Sequence, residues 1–600
     1  MLDFKEKVNL FIYERKTDIL RVMSWVLGLV SLFTLGSLVY YYGFYQTAQN
    51  KEVILSINKY FFVVFIFNFL LKLFFTKDRF QYAKTNFVEL LLLVLVVVNY
   101  LSLVLFHFPV IAKTFEYFDV EDFEPYYVVI IQIYLLVLVS IEFFKSAGNL
   151  GYLRLKPTTI FIFSFVLLIG SGAGLLMLPG LRLPNTEFSF VDALFTSASA
   201  SCVTGLIVVD TATFFNTKGK FILLILFQLG GLGIVSFATF FATFMKNGIG
   251  LRHQSMMKDL FDSESLLGTA AMFRKVVTYT LGIELLSIGL LYIFWGNYPF
   301  QSTGERLFYS IFHGVSAFCN AGFSLFENGL RNERVVGNYL LHLVIAATIV
   351  MGGLGFPAIR DIFEIENVRD RLNRPWKQWK LSTKAAVYSS LVLIVLGALF
   401  FYLLEQNKVL KGMQFIPAVI TSIFQSVTCR TAGFDTVDFG TLSIPTLLIL
   451  MFLMFIGASS GSTGGGIKTS TFIVAFSAIF ATITGKKSVT LWRRTISQDL
   501  IYKAFSVFIF SATFIFIATF LLTLSDPNIP FINLLFEEIS AFATVGTSTG
   551  ITSKMSDIGK LILTASMFVG RVGVLSLAFS LSIPVSSNAY KYPNSHIMIG

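Results

Sequence analysis

Four stretches decide how this chain reads: FTSASASCVTG at 195–205, FHGVSAFCNAG at 312–322, IFQSVTCRTAG at 423–433 and FEEISAFATVG at 536–546. Each is too polar to be a membrane span and too apolar to be an ordinary exposed loop. Aligned on the final glycine, three of the four begin with Phe ten residues earlier, and the glycines lie 117, 111 and 113 residues apart. So regular a period is an internal repeat. A second set of glycines follows 25, 30, 24 and 24 residues later, in QLGGLG (228–233), VMGGLG (350–355), FIGASSG (455–461) and FVGRVG (568–573). The repeated unit is helix, short re-entrant helix, glycine-containing extended segment, helix.

The setting of these stretches is a membrane. Of 600 residues, 55% are hydrophobic and 14% charged, where a soluble domain carries roughly 25% charged residues. That excludes a soluble globular protein and a disordered one. Long continuous apolar runs argue against a β-barrel. A bilayer core of ~30 Å needs about 20 apolar helical residues. Twelve candidate spans result, near 21–45, 59–75, 86–108, 126–144, 156–180, 219–244, 273–296, 338–360, 383–405, 444–485, 499–524 and 559–582. The first is read as a retained helix, not a signal peptide. With the N-terminus inside, 29 of the 46 Lys and Arg residues fall in inner segments and 14 in outer ones. This places both termini in the cytoplasm. The net charge of +11 is then loop charge, not a nucleic-acid surface. Cys202, Cys319 and Cys429 form no disulfide framework and read as small packing residues. No Cys/His cluster has metal-ligand spacing.

The expected fold is an all-α polytopic membrane protein with four parallel helix–pore-loop–helix repeats in pseudo-fourfold arrangement, plus four extra N-terminal transmembrane helices. The expected boundaries are 1–150 for the N-terminal extension and 151–250, 251–375, 376–490 and 491–600 for the repeats. Irregular backbone in lipid costs several kcal/mol per unsatisfied group, so it belongs where it lines a hydrated path or holds a cation. Rings of carbonyls can replace the water shell of a monovalent cation. Glycine turns a carbonyl inward at positive φ, and the C-terminal end of each short helix favours a cation in the cavity.

Charges within spans need a reason. Arg571 sits mid-span, where a central Arg costs ~2.5–3.5 kcal/mol on insertion scales. Its spacing places it below the four glycine-containing segments on the pore axis as a barrier to cations, with a structural ion pair as the alternative. The run GASSGSTGGG at 457–466 cannot hold a helix, because each Gly costs ~1 kcal/mol relative to Ala. It breaks the long 444–485 span and is a candidate gate, carried by Gly457, Gly461, Gly464, Gly465 and Gly466 and anchored by Lys468. GSTGGGIKT is superficially like a phosphate loop, but it has one residue too many before Lys468 and lies in the membrane. Asp192, Asp210 and Asp435 flank these segments on the outer side, either concentrating cations or capping loops. Glu537, Glu538 and His313 read as packing or hydrogen bonding behind the filter. No paired carboxylates or His clusters share a depth in the spans, which argues against an enzyme.

SCVTGL, CNAGF, CRTAGFDT and ATVGTSTG, together with IGASSGSTGGGIKTSTF at 456–472 and MFVGRVGVLSL at 567–577, resemble the TrkH/KtrB/HKT superfamily of potassium transporters over about 150–585. The resemblance implies a potassium-channel-like fold. It implies that Val203, Thr204, Gly205, Asn320, Ala321, Gly322, Thr431, Ala432, Gly433, Thr544, Val545 and Gly546 supply the carbonyls that bind potassium. It also implies potassium uptake through a gated pore in the cytoplasmic (inner) membrane, with potassium as substrate and no cofactor. A homodimer and a separate cytoplasmic nucleotide-binding regulatory subunit of the TrkA/KtrA kind follow from it, with basic loops 245–275 and 360–384 as the dock. Serine at the first filter position goes with sodium selectivity in the plant branch; Gly205 stands there and favours potassium. A sodium-coupled or sodium-selective permease of the same fold is the alternative. Residues 1–150 exceed the family pattern. They carry no regular Arg repeat of a voltage sensor, and the tail after 582 is short for a regulatory domain.

Overall fold

A computed structural model describes residues 15–76, 78–85, 90, 94, 157–184, 186–244, 269–296, 298–574 and 577. The expected spans at 86–108 and 126–144 and the 245–268 loop lie essentially outside these residues. The chain divides into two compact units, one formed by 1–154 with 178–181 and the other by 155–177 with 182–600.

In the smaller unit, α1 (Lys16–Gly43) and α2 (Ala48–Phe75) form a helical hairpin. Lys16 at the start of α1 donates to the Phe75 carbonyl at the end of α2 (2.6 Å), neutralising the negative end of that helix. Ser37 donates to the Asn58 amide oxygen across the pair.

The larger unit is built of four copies of one motif. Repeat 1 is α3 (Pro157–Leu176), α4 (Phe190–Ser201) and α5 (Thr217–Phe244). Repeat 2 is α6 (Thr269–Phe294), α7 (Thr303–Cys319) and α8 (Tyr339–Leu354), followed by α9 (Phe356–Phe363) and α10 (Ile365–Asn373). Repeat 3 is α11 (Leu381–Glu405), α12 (Phe415–Thr428), α13 (Ile444–Phe455) and α14 (Thr469–Ile483). Repeat 4 is α15 (Gln498–Ser525), α16 (Phe531–Phe542) and α17 (Asp557–Val572). The short helices α4, α7, α12 and α16 end three or more residues before Gly205, Gly322, Gly433 and Gly546. Ser189 and Ser302 cap the first turns of α4 and α7 by accepting from the N–H groups of Asp192 and Glu305, which satisfies donors the helix leaves free. A two-residue antiparallel pair, Thr490–Leu491 with Arg494–Thr495, closes through Trp492 and Arg493, both at positive φ, the geometry a tight hairpin requires.

The inner-helix glycines have one shared cause. A Cβ on Gly230, Gly352 or Gly570 would overlap the carbonyl of Ser201, Phe318 or Phe542. These three carbonyls occupy the same place, four residues before Gly205, Gly322 and Gly546 of their own repeats. The absence of a side chain is what lets each inner helix touch the end of its own short helix. In repeat 3 a loop intervenes, and Gly457 faces the Gly465 carbonyl instead.

Two expected spans differ from continuous helices. The 338–360 segment bends by 102° between α8 and α9 at Gly355, φ +83°. In the last span the helix α17 ends at Val572 and is interrupted at Gly573, φ +87°. Hydropathy is continuous through both glycines, so composition alone did not show the breaks. The 444–485 segment breaks as expected, between α13 and α14.

Candidate ion pathway

The four extended segments share a backbone. Val203, Asn320, Thr431 and Thr544 have φ of +59, +60, +82 and +51°, and Gly205, Gly322, Gly433 and Gly546 have +93, +71, +79 and +95°. The residues between them, Thr204, Ala321, Ala432 and Val545, are not left-handed. Alternating handedness rotates successive peptide planes so that neighbouring carbonyls point to one side instead of alternating as in a strand. Holding a non-glycine residue left-handed costs about 1–3 kcal/mol, so something must hold it. The short helices do: N–H groups of Thr204, Ala321 and Val545 donate to the carbonyls of Ser199, Ser316 and Ser540 at 2.7, 2.8 and 2.8 Å. Gly205 and Gly546 donate to the hydroxyls of Ser199 and Ser540, both at 3.1 Å. Donors are thus spent on the scaffold and carbonyls are left for the centre.

The segments close on one another in chain order. A Cβ on Gly205 would lie 2.6 Å from the Ala321 oxygen, and one on Gly322 would lie 2.7 Å from the Ala432 oxygen. On Gly433 it would strike the Val545 oxygen, and on Gly546 the Thr204 oxygen. The fourth contact returns to the first repeat, so the ring is complete.

Behind the ring, struts tie short helix to outgoing segment. Glu537 accepts from Ser548 (2.9 Å) and Thr552, His313 pairs with Ser324 (3.1 Å), and Gln425 donates to Thr436 (2.7 Å). Glu538 accepts from Ser566 of α17 (3.0 Å). Cys202, Cys319 and Cys429 are free and buried, packed as the sequence suggested. The flanking aspartates join repeats. Asp192 pairs with Lys560 (2.7 Å), and Asp435 with Arg331 (2.8 Å). Asp210 accepts from the Asn328 N–H (3.1 Å) while capping Ala212.

The 457–466 run crosses directly beneath two of the extended segments. Ile456 and Ile467 pair in parallel at its ends, so it leaves and rejoins its span at one point. Gly464 lies against the Thr431 hydroxyl and Gly465 against that of Thr544, to which the Gly465 N–H also donates (3.0 Å). Gly466 approaches Ala543. Thr463 donates to the Phe318 carbonyl (3.1 Å), and Gly461 accepts from the Phe356 N–H (2.9 Å) at the α8–α9 bend. Lys468 donates to the Gly464 carbonyl (2.5 Å). Arg571, 2% exposed, donates to the Thr463 carbonyl and, at 2.5 Å, to that of Gly230. Its partners are backbone carbonyls, where the sequence had left an ion pair open.

Two features escaped the sequence reading. Arg430 occupies the place held by Cys202, Cys319 and Ala543 in the other repeats. Its guanidinium reaches the carbonyls of Gly457 (3.3 Å) and Ser390 (3.5 Å), so a second arginine touches the run at its first residue. The alignment carried this signal: three small residues and one arginine at one position. Glu284 of α6 is buried and accepts from Gln228 of α5 (3.0 Å), whose oxygen accepts from the Cys319 thiol (3.2 Å). One acidic residue in a long apolar helix is a weak signal, and its partner lies 56 positions away.

Comparison with known proteins follows the same lines. The family of TrkH cation transport proteins matches residues 130–591. The Ktr system potassium uptake protein B of Bacillus subtilis is 36% identical over 452 residues, covering 75% of this chain and 98% of that protein. The potassium/sodium uptake protein NtpJ of Enterococcus hirae is 33% identical, covering 74% and 98%. Among solved structures, the potassium transporter TrkH from Vibrio parahaemolyticus shares the fold, with a TM-score of 0.58 and 18% identity over 82% of this chain and 97% of that one.

Proposed function

Because this chain belongs to the TrkH family of cation transport proteins, a family of membrane transporters and not enzymes, we propose that it takes up potassium through the ring of four filter segments. The carbonyls of Val203, Thr204 and Gly205 and of their counterparts at 320–322, 431–433 and 544–546 replace the water shell of the ion. The observation that carries this reading is the closed sequence of contacts from Gly205 round to Gly546, which leaves room at each glycine for a neighbour's oxygen and no side chain. The Bacillus relative, named as a potassium uptake protein, supports the choice of ion.

In the same reading the 457–466 run is the gate. It lies across the path under Thr431 and Thr544, held by Arg571, Arg430 and Lys468, whose charges also lower cation occupancy there. The filter faces the outside, and both termini lie in the cytoplasm of a cell bounded by this membrane. Uptake runs down the membrane potential, worth ~2.3 kcal/mol per charge per 100 mV. The transporter is a homodimer, and a nucleotide-binding regulatory subunit docks on the basic loop 245–275. Sodium is the second candidate ion, favoured by the name of the Enterococcus relative.

The test is rubidium-86 uptake into proteoliposomes with a negative-inside potential, competed with potassium or sodium, for the wild type and Gly205→Ser. Block by potassium and not sodium, with selectivity eroded in the variant, is expected. Equal competition by sodium in the wild type, or an unchanged variant, would overturn the filter assignment.

A further inference from the structure

The helix α10 (Ile365–Asn373) is attached the wrong way round for a water-facing helix. An amphipathic helix at a protein surface normally buries its apolar side. Here the polar side is the attached one. Glu364, just before it, pairs with Lys275 of α6 (2.5 Å) and Arg360 (3.2 Å), Asn367 donates to Glu364 (3.0 Å), and Arg371 pairs with Asp361 (3.3 Å). These residues share one face. The adjacent face carries Ile365, Val368 and Leu372 at helical spacing. Ile365 and Leu372 are 81 and 77% exposed, and Trp376, just beyond the helix, is 76% exposed. Unlike the lipid-facing residues of the spans, these sit in a strongly charged segment: 365–380 contains five basic residues and two acidic ones.

We propose that α10 and Trp376 form a docking surface for the anionic headgroup region of the bilayer. The apolar stripe enters the headgroup–acyl boundary, Trp376 sits at the interface, and Arg369 and Arg374 meet lipid phosphates, while Lys377 is held by Asp370 (2.7 Å). The geometry favours this occupant. The 102° bend at Gly355 turns the chain across the end of the α8 span, and the ion pair of Glu364 with Lys275 (2.5 Å) keeps the stripe from folding back onto the protein. The surface also communicates with the run beneath the filter: α9 begins at the bend, where Phe356 donates to Gly461 (2.9 Å). Lipid composition therefore acts on flux, a consequence that rests on the gate reading above.

The test uses the full chain carrying Leu372→Cys with an environment-sensitive fluorophore, in nanodiscs of phosphatidylcholine alone or with one third phosphatidylglycerol; the three native cysteines are buried. Brominated lipid is expected to quench most of the emission and aqueous iodide little of it. Arg369→Gln with Arg374→Gln is expected to abolish the extra quenching seen with phosphatidylglycerol. Emission quenched by iodide and not by bromolipid overturns the proposal. So does a label shielded from both quenchers, which would mean a protein covers the stripe. Rubidium flux in the two lipid mixtures is the second readout. Quenching as expected with flux indifferent to lipid would leave the docking surface standing and overturn its link to the gate.

Discussion

At the residue scale, the positions of the four extended segments separate into those whose chemistry announces their conformation and those whose chemistry conceals it. Gly205, Gly322, Gly433 and Gly546 were legible, because glycine at a fixed period in a polar re-entrant stretch has few other uses. Val203, Thr431 and Thr544 were not, since a β-branched residue at positive φ is an outlier that only the surrounding hydrogen bonds impose. Arg430 was equally hidden, because its target, Gly457, is 27 positions away. Hydrogen bonds from charged donors are worth about 1.5–3 kcal/mol. Arg571→Gln should therefore raise regulator-free rubidium uptake roughly 10- to 100-fold while leaving potassium over sodium preference intact. Arg430→Gln, whose contacts are longer, should give a smaller rise of the same sign. Uptake equal to wild type in both variants would remove the arginines from gating. Gly464→Ala makes a complementary case: its Cβ meets the Thr431 hydroxyl, so the run must shift downward, and uptake should rise without loss of selectivity.

At the scale of elements, the repeat was legible and its bends were not. Hydrophobic runs located the long outer helices α6, α11 and α15 closely, because a lipid-facing helix is specified by composition. The inner helices are specified by contact. Gly230, Gly352 and Gly570 meet carbonyls of the short helices, and an alignment shows that these glycines recur without showing what they touch. Gly352→Ala or Gly570→Ala should therefore reduce the yield of folded protein in detergent sharply, while Gly174→Ala, where a Cβ meets nothing within 4 Å, should not. The Glu364 junction adds a pH dependence. Burial pushes its carboxyl pKa up, but the hydrogen bond from Lys275 and the charge of Arg360 outweigh this and hold it below its ordinary 4.5. A carboxyl depressed in the folded state contributes stability that is complete above its unfolded pKa and is lost as pH falls through the folded one. Thermal unfolding followed from pH ~6 down to ~3 should show a decline below about 4.5 that is shallower in Glu364→Gln. Identical slopes would show that the junction adds nothing.

At the scale of the molecule, the catalogue of relatives marks what is shared and what is added. The Bacillus protein is matched over 98% of its length by 75% of this chain, and the family match begins at residue 130. The transport unit should therefore work alone. A chain lacking residues 1–129 is expected to keep rubidium uptake within about twofold of the full protein, since the pore repeats lie in a separate compact unit. Loss of uptake with folding intact would give the N-terminal helices a part in transport. The sequence identified these helices as additional but offered no role, because apolar composition reports only that a segment lies in lipid. The orientation of α10 was illegible for a related reason: its heptad of apolar and charged residues is the same whichever face is attached, and the attachment is decided by Lys275, some 90 residues earlier in the chain.

The pairing of Ile456 with Ile467 has a mechanical consequence. A ribbon whose two feet stand on the same spot cannot be drawn aside by pulling its feet apart, so movements of α13 and α14 have little leverage over it. If the run is the gate proposed above, control acts by unlatching: it loosens a grip at Gly457, Gly461 or Thr463 and lets thermal motion do the rest. On that reading a controlling partner would need only to supply the energy of one or two hydrogen bonds, and the spans on either side could stay still while the path opens.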